Sequence, residues 1–184
     1  LGDVYKRQIN TLRWDDELLK LFDIPKSLLP EVVHSDSCFG SLSELGDITI
    51  HAVLGDQQAA LFGQGCLEKG QLKSTYGTGC FIMSNVGDKP IHSDDGLLTT
   101  IGFSLNGKVY YAVEGSIYAS GTTVQWLRDN LQFFNKSDQS ETYLNEDGNA
   151  NNVLFIPAFT GLGAPYWNSE IRASFHGITR DTSR

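Results

Sequence analysis

Apolar side chains first recur with helical spacing near residue 18, where Leu18, Leu19, Leu21 and Phe22 gather on one side of a short helix. Asp15 can cap its start and Pro25 ends it. A further turn over residues 26–29 stops at Pro30, and residues 34–47 are polar and turn-rich. Over residues 48–54 the spacing changes to every second position. Ile48, Ile50, Ala52 and Leu54 then share a face, which predicts a strand. Gly55 and Asp56 break it, and residues 57–66 read as a helix with Ala59, Phe62 and Cys66 at three- and four-residue spacing.

The pattern then becomes strand-rich. Residues 71–76 and 80–86 flank Gly77-Thr78-Gly79 as strand, tight turn, strand. Two more strands, residues 97–104 and 108–114, are joined by Asn106-Gly107, the strongest short hairpin signal. Val124, Leu127, Leu131 and Phe134 mark one face of an amphipathic helix over residues 121–134. Residues 135–152 are rich in Asn, Asp, Ser and Glu and read as a surface excursion. Residues 153–156 form an apolar run, read as a buried strand, which feeds a Gly- and aromatic-rich loop over residues 157–167. The order predicts an α/β protein in two parts. Residues 9–66 read as the end of one domain and residues 67–184 as the start of a second. Residues 1–8 fit neither part and read as a non-native remnant.

Composition narrows the classes. The 184 residues carry a formal charge of −8, which disfavours a nucleic-acid partner. No basic amphipathic stretch suits an anionic membrane surface. Hydrophobic residues at 40% and aromatics at 11% suffice for a core, so global disorder is excluded. No apolar run approaches the ~18 residues needed to span a bilayer. Cys38, Cys66 and Cys80 are odd in number and lack C-x-x-C spacing, which argues against a disulfide framework and for a reducing, cytoplasmic setting. His34, His51, His92 and His176 are scattered, and no protein-held metal site is expected.

Candidate chemistry lies where elements meet. Asp56 follows a strand and opens a helix, the rim at which α/β folds bind ligands. A carboxylate is stabilised at a helix N-terminus, and there it can take a proton from a substrate hydroxyl; an ordinary N-cap would explain the same residue. Gln57 and Gln58 suit polyol hydroxyls or an exposed helix face. Gly77-Thr78-Gly79 suits the approach of backbone amides to a phosphate, or a plain hairpin turn. Gly121 leaves room for a ligand or is a glycine tolerated near a helix end. Gln125 lies one turn later, and Phe81 suits either a core or the carbon skeleton of a small substrate.

Five blocks in register add a further reading. They are Gly-Asp-Gln-Gln-Ala-Ala-Leu-Phe-Gly-Gln (55–64), Thr-Tyr-Gly-Thr-Gly-Cys-Phe (75–81), Gly-Leu-Leu-Thr-Thr-Ile (96–101), Gln-Trp-Leu-Arg-Asp (125–129), and Pro-Ala-Phe-Thr-Gly-Leu-Gly-Ala-Pro-Tyr-Trp (157–167). With Glu114-Gly115 between them, they stand in the order and spacing of the FGGY carbohydrate kinases, and the sequence resembles the glycerol kinases of that family over residues 10–180. The resemblance implies an actin-like ATPase, ribonuclease H-like fold and ATP-dependent phosphorylation of glycerol to glycerol 3-phosphate. It implies Asp56 as general base, Gln57 as a glycerol ligand and Phe81 as the wall behind its carbons. It implies Gly77, Thr78, Gly79, Gly121 and Gln125 as nucleotide contacts, Mg²⁺ arriving with ATP, two domains that close on the substrates, and a homo-oligomer. The family's N-terminal phosphate loop, its glycerol-binding Arg-Glu pair and its downstream Gly-rich adenine loop are not in this sequence. A central fragment, inactive alone, is therefore expected. Three rivals stay open: a kinase of the group acting on another polyol or ketose, a non-catalytic actin-like nucleotide-binding module, and a β-rich interaction domain.

Overall fold

The structure, a computed structural model that describes residues 7–147 and 152–182, opens with β1 (Arg7–Gln8) antiparallel to β2 (Arg13–Trp14). Arg7 and Gln8 thus take part in a ladder, while the rest of the stretch read as a remnant, residues 1–6, lies outside the described residues. In α1 (Asp16–Leu21) the Asp15 carboxylate caps as expected, accepting the N–H groups of Glu17 and Leu18 at 3.0 and 3.1 Å. Of the apolar side, Leu19 is buried, whereas Leu21 and Phe22 stay exposed.

The alternation over residues 48–54 yields less strand than it predicts. Only β4 (Ile48–Thr49) forms a ladder, antiparallel to β3 (Ser41–Leu42). Beyond it, Ile50 exchanges backbone hydrogen bonds with Phe39 and Gly40, and Val53 donates to the Ser35 carbonyl, before regular pairing stops. The following helix, α2 (Asp56–Gly63), begins one residue before the sequence reading and ends three before it. Its end has a physical cause. Gly65 adopts φ +75°, Gly65 N–H returns to the Phe62 carbonyl at 2.9 Å and Cys66 N–H to the Leu61 carbonyl at 3.1 Å. This is a Schellman closure, in which a left-handed glycine lets the chain reverse and satisfy the last carbonyls. Cys66 leaves the helix but packs in the same apolar cluster as Leu61.

Four strands form one sheet: β5 (Leu72–Tyr76), β6 (Cys80–Gly87), β7 (Leu98–Leu105) and β8 (Lys108–Ile117). Their order is β5-β6-β8-β7, so the last strand lies between β6 and β7. The β7–β8 hairpin turns at Asn106 and Gly107, both left-handed at φ 52° and 74°, the pair that a two-residue type I′ turn requires. Its register shifts between Ile101 and Phe103. The residue at that shift, Gly102, would place a Cβ 3.2 Å from Leu61 Cδ2, so the missing side chain is what lets α2 lie close on β7. Leu61, Cys66, Met83, Phe103 and Ala112 form the core there, and Phe103 stacks on Tyr110 with ring centroids 4.8 Å apart.

The chain divides into two compact units: residues 1–73 with 83–114, and residues 74–82 with 115–184. Strands β5, β6 and β8 have residues in both. The second unit adds α3 (Gly121–Asp129), α4 (Gln139–Asp147), β9 (Leu154–Ile156) and β10 (Ser174–His176). Helix α3 stops short of residue 134 because Gln132 takes φ 56° and Phe133 N–H folds back to the Leu127 carbonyl at 3.0 Å. The polar excursion contains α4, whose approach is ordered by Gln139 Oε1 accepting the N–H groups of Asn135 and Lys136; residues 148–151 of that excursion lie outside the described residues. Among the described residues strand β9 pairs with β10 alone, and Leu154 is 61% exposed rather than buried. Trp126 of α3 stacks on Phe155 at 5.5 Å and packs against Phe159 and Phe175, seating the helix on this ribbon. Among the described residues no helix is long and apolar enough to cross a membrane.

Leu61 has no exposed surface and joins α2 to the sheet. Truncation to Ala should cost about 2–5 kcal/mol through lost burial and the cavity it leaves. Chemical denaturation of the complete protein carrying Leu61→Ala checks this; a loss below about 1 kcal/mol would mean that α2 is held by other contacts.

Candidate active site

Residue 55 is the N-cap of α2 and has no side chain, which leaves Asp56 as the first helical residue. The bland reading of Asp56 as an N-cap therefore fails. Its carboxylate is exposed, with Oδ1 accepting only the adjacent Gln57 N–H at 2.9 Å among the hydrogen bonds found for it. It sits on the wall of a cleft of about 450 Å³ within the first unit. Gln57, Gln58, Gly102 and Glu114 line the same cleft. The helix start favours negative charge at this position. A carboxylate that is exposed, carried at its helix start and set on the wall of this cleft can receive a proton from a bound hydroxyl.

Two residues next to Gln57 and Asp56 were not singled out by sequence reasoning. Lys73, the second residue of β5, is 4% exposed, and its Nζ donates to Gln57 Oε1. Glu114, which entered only as part of a sequence block, lies opposite Leu98 in the β7–β8 pairing and is half-buried. Burial pushes its carboxyl above the ordinary value of 4.5; the Lys73 charge pulls it back and the Asp56 carboxylate pushes it further up. Asp56, Gln57, Lys73 and Glu114 thus form one polar constellation in the first unit. The signal for Lys73 was a lysine inside a strand, which pattern reading places on the solvent face by default.

The glycine-rich candidates lie in the second unit. Thr78, Gly79 and Phe81 line a second cavity of about 480 Å³ with Ile117, Tyr118 and Thr160. The loop and the start of α3 are tied together. The Thr78 carbonyl accepts the N–H groups of Ser120 and Thr122 at 2.9 and 3.2 Å and the Thr122 hydroxyl at 2.9 Å, while Gly121 N–H donates to the Gly77 carbonyl at 2.9 Å. These helix N–H groups are the ones an anion would otherwise meet at an N-terminus. Here backbone carbonyls already take them. Gly121 is required for the same reason, since a Cβ there would come 2.6 Å from the Gly77 oxygen; at Gly79 it would come 2.5 Å from the Ile117 oxygen. Backbone packing by itself requires a glycine at both positions. Thr78 is exposed, and Gln125 is exposed on α3. The structure therefore gathers Asp56 and Gln57 in one cavity and Thr78, Gly79 and Phe81 in another.

A raised carboxyl pKa has a defined stability signature. Glu114 favours folding fully below 4.5 and loses that contribution as pH climbs through its higher folded-state value. The melting temperature of the wild-type complete protein, minus that of Glu114→Gln, should fall as pH is raised from below 4.5 to neutrality. A difference that stays flat or rises across that range would contradict the assignment.

Comparison with known proteins gives one consistent family. Residues 72–184 match the C-terminal domain of the FGGY family of carbohydrate kinases. Over 180 residues the chain is 49% identical to the glycerol kinase of Staphylococcus haemolyticus and 51% identical to that of Xanthomonas campestris pv. campestris, covering 96% of this chain and 36% of each relative. The crystal structure of Plasmodium falciparum glycerol kinase with ADP superposes with a TM-score of 0.86 at 39% identity, again over 96% of this chain and 36% of the other. The chain thus spans about a third of the length of the relatives it matches, and its mixed α/β fold is that of this kinase group. By sequence and by structure, the chain belongs to the FGGY family of carbohydrate kinases.

Proposed function

We propose that the complete protein carrying this sequence transfers the terminal phosphoryl group of ATP to a hydroxyl of glycerol, giving glycerol 3-phosphate and ADP. The observation that carries this is Asp56: a carboxylate at the first residue of α2, exposed in a cleft, with the Gln57 amide beside it. The relatives named glycerol kinase and the ADP held by the Plasmodium falciparum enzyme support the substrate pair.

In such a transfer the hydroxyl oxygen forms a bond to the terminal phosphorus while the bond to the bridging oxygen of ADP breaks. The protein acts mainly by positioning and by handling charge. Asp56 receives the hydroxyl proton, which raises the nucleophilicity of the attacking oxygen as the transfer proceeds. Gln57 holds a hydroxyl and so orients the acceptor; Phe81 keeps the role of apolar wall for its carbons from the family resemblance alone, since it lines a different cavity from Asp56. Gly77, Thr78 and Gly79 contact phosphate, with the exposed Thr78 hydroxyl as the donor, since neighbouring helix N–H groups are engaged. Gly121 and Gln125 stand on the nucleotide side. Among the described residues no group of three or more His, Cys, Asp or Glu side chains could hold a metal ion. Mg²⁺ enters this reading with the nucleotide's phosphates, as the family resemblance implies. A homo-oligomeric assembly rests on the family resemblance, and a cytoplasmic setting on the free thiols of Cys38, Cys66 and Cys80.

The test is Asp56→Asn in the complete protein. The amide preserves shape but does not accept a proton at neutral pH, and loss of a general base costs ~10²–10⁴-fold in rate. The fall should appear in kcat, with the KM for ATP nearly unchanged. The 184-residue chain assayed alongside should give no turnover, since it spans only 36% of its relatives' length. A kcat for Asp56→Asn within about twofold of wild type would remove Asp56 from this role.

A further inference from the structure

Strand β5 runs against the usual alternation. Leu72, the apolar residue, is 60% exposed, and the next residue, Lys73, is buried to 4% exposure. Turning a leucine outward and an ammonium inward is costly unless the charge meets partners. Lys73 has such partners, two of which bear on the cleft. Its Nζ donates to Gln57 Oε1, and it interacts electrostatically with Glu114 on β8.

The hydrogen bond to Gln57 has a directional consequence. An ammonium has three donors and no acceptor. It can therefore face only the carbonyl end of the Gln57 amide, and the NH₂ end must point elsewhere. Gln57 is half-buried and lines the Asp56 cleft. We propose that Lys73 is a positioning residue that locks the Gln57 side chain with its carbonyl toward β5 and its NH₂ presented to the substrate. Lys73 thereby selects substrates that offer an oxygen acceptor beside the reacting hydroxyl, as polyols do. This deepens, and rests on, the reading of the Asp56 cleft as the polyol site.

Gln57 without Lys73 could present either end of its amide, and a substrate oxygen would then often meet a carbonyl. The loss should therefore appear in acceptor affinity more than in nucleotide affinity. Lys73→Met keeps most of the stem and removes the donors and the charge.

A double-mutant cycle in the complete protein, with glycerol as the probe, tests this. Lys73→Met should raise the KM for glycerol about tenfold, the worth of one hydrogen bond, and leave the KM for ATP within about twofold. In a Gln57→Ala background the same change should add nothing, because a residue that acts through Gln57 has no effect once Gln57 is gone. Multiplicative effects, or equal changes in both KM values, would overturn the inference and leave the polyol reading standing. An unchanged glycerol KM in Gln57→Ala alone would overturn both. If Lys73→Met does not fold, Gln57→Glu serves instead. It keeps an acceptor for Lys73 but offers the substrate no NH₂, so its glycerol KM should rise by a similar factor. An unchanged glycerol KM in that variant would equally overturn the proposal.

Discussion

Helix α2 rests on the sheet through Leu61, which is fully buried against Phe103 and Ala112, and through the absence of a side chain at Gly102. Everything at the candidate site follows from that contact. The helix is only eight residues long, too short to be stable by propensity alone. Its orientation is therefore set by packing at one face and by the Schellman closure at Gly65. Because Asp56 and Gln57 are its first two residues, the apolar seat of Leu61 fixes where a carboxylate and an amide enter the cleft.

Charge is arranged around that helix start with some economy. Asp56 is exposed and Glu114 is half-buried, and the Asp56 carboxylate pushes the Glu114 pKa up. Lys73 places one positive charge behind them, out of contact with solvent. Removing Lys73 leaves Glu114 without a compensating charge, so its substitution is expected to lower stability beside its effect on Gln57. The phosphate-side candidates use a different device. There, loop carbonyls at Gly77 and Thr78 cap the start of α3, so the glycines serve the close meeting of two backbone segments.

Local chemistry made part of this legible in the sequence. Asp15 capped its helix, and Asn106-Gly107 turned a hairpin, because both depend on residues adjacent in the chain. The Gly-Asp-Gln order put Asp56 at a helix start, although the strand expected before it ends at Thr49 and its N-cap alternative fell to Gly55. What failed depended on distant partners. The alternation at residues 48–54 could not reveal that its ladder would form with β3 alone among the described strands, nor could Leu154 reveal that among the described residues its strand would pair with β10. Helix α4 was hidden by polar composition, since little of it needs a core. Lys73 was hidden most thoroughly, because a buried lysine next to an exposed leucine inverts the rule by which strands are read.

The central claim is that Asp56 and Gln57 hold the acceptor polyol, with the carboxylate on the reacting hydroxyl and the amide NH₂ on a neighbouring oxygen. A crystal structure of the complete protein with glycerol and a non-hydrolysable ATP analogue tests it most directly. The account predicts one glycerol hydroxyl within hydrogen-bonding distance of an Asp56 carboxylate oxygen and another oxygen on Gln57 Nε2, with Gln57 Oε1 still facing Lys73. Glycerol bound away from Asp56, or meeting Gln57 through Oε1, would contradict it.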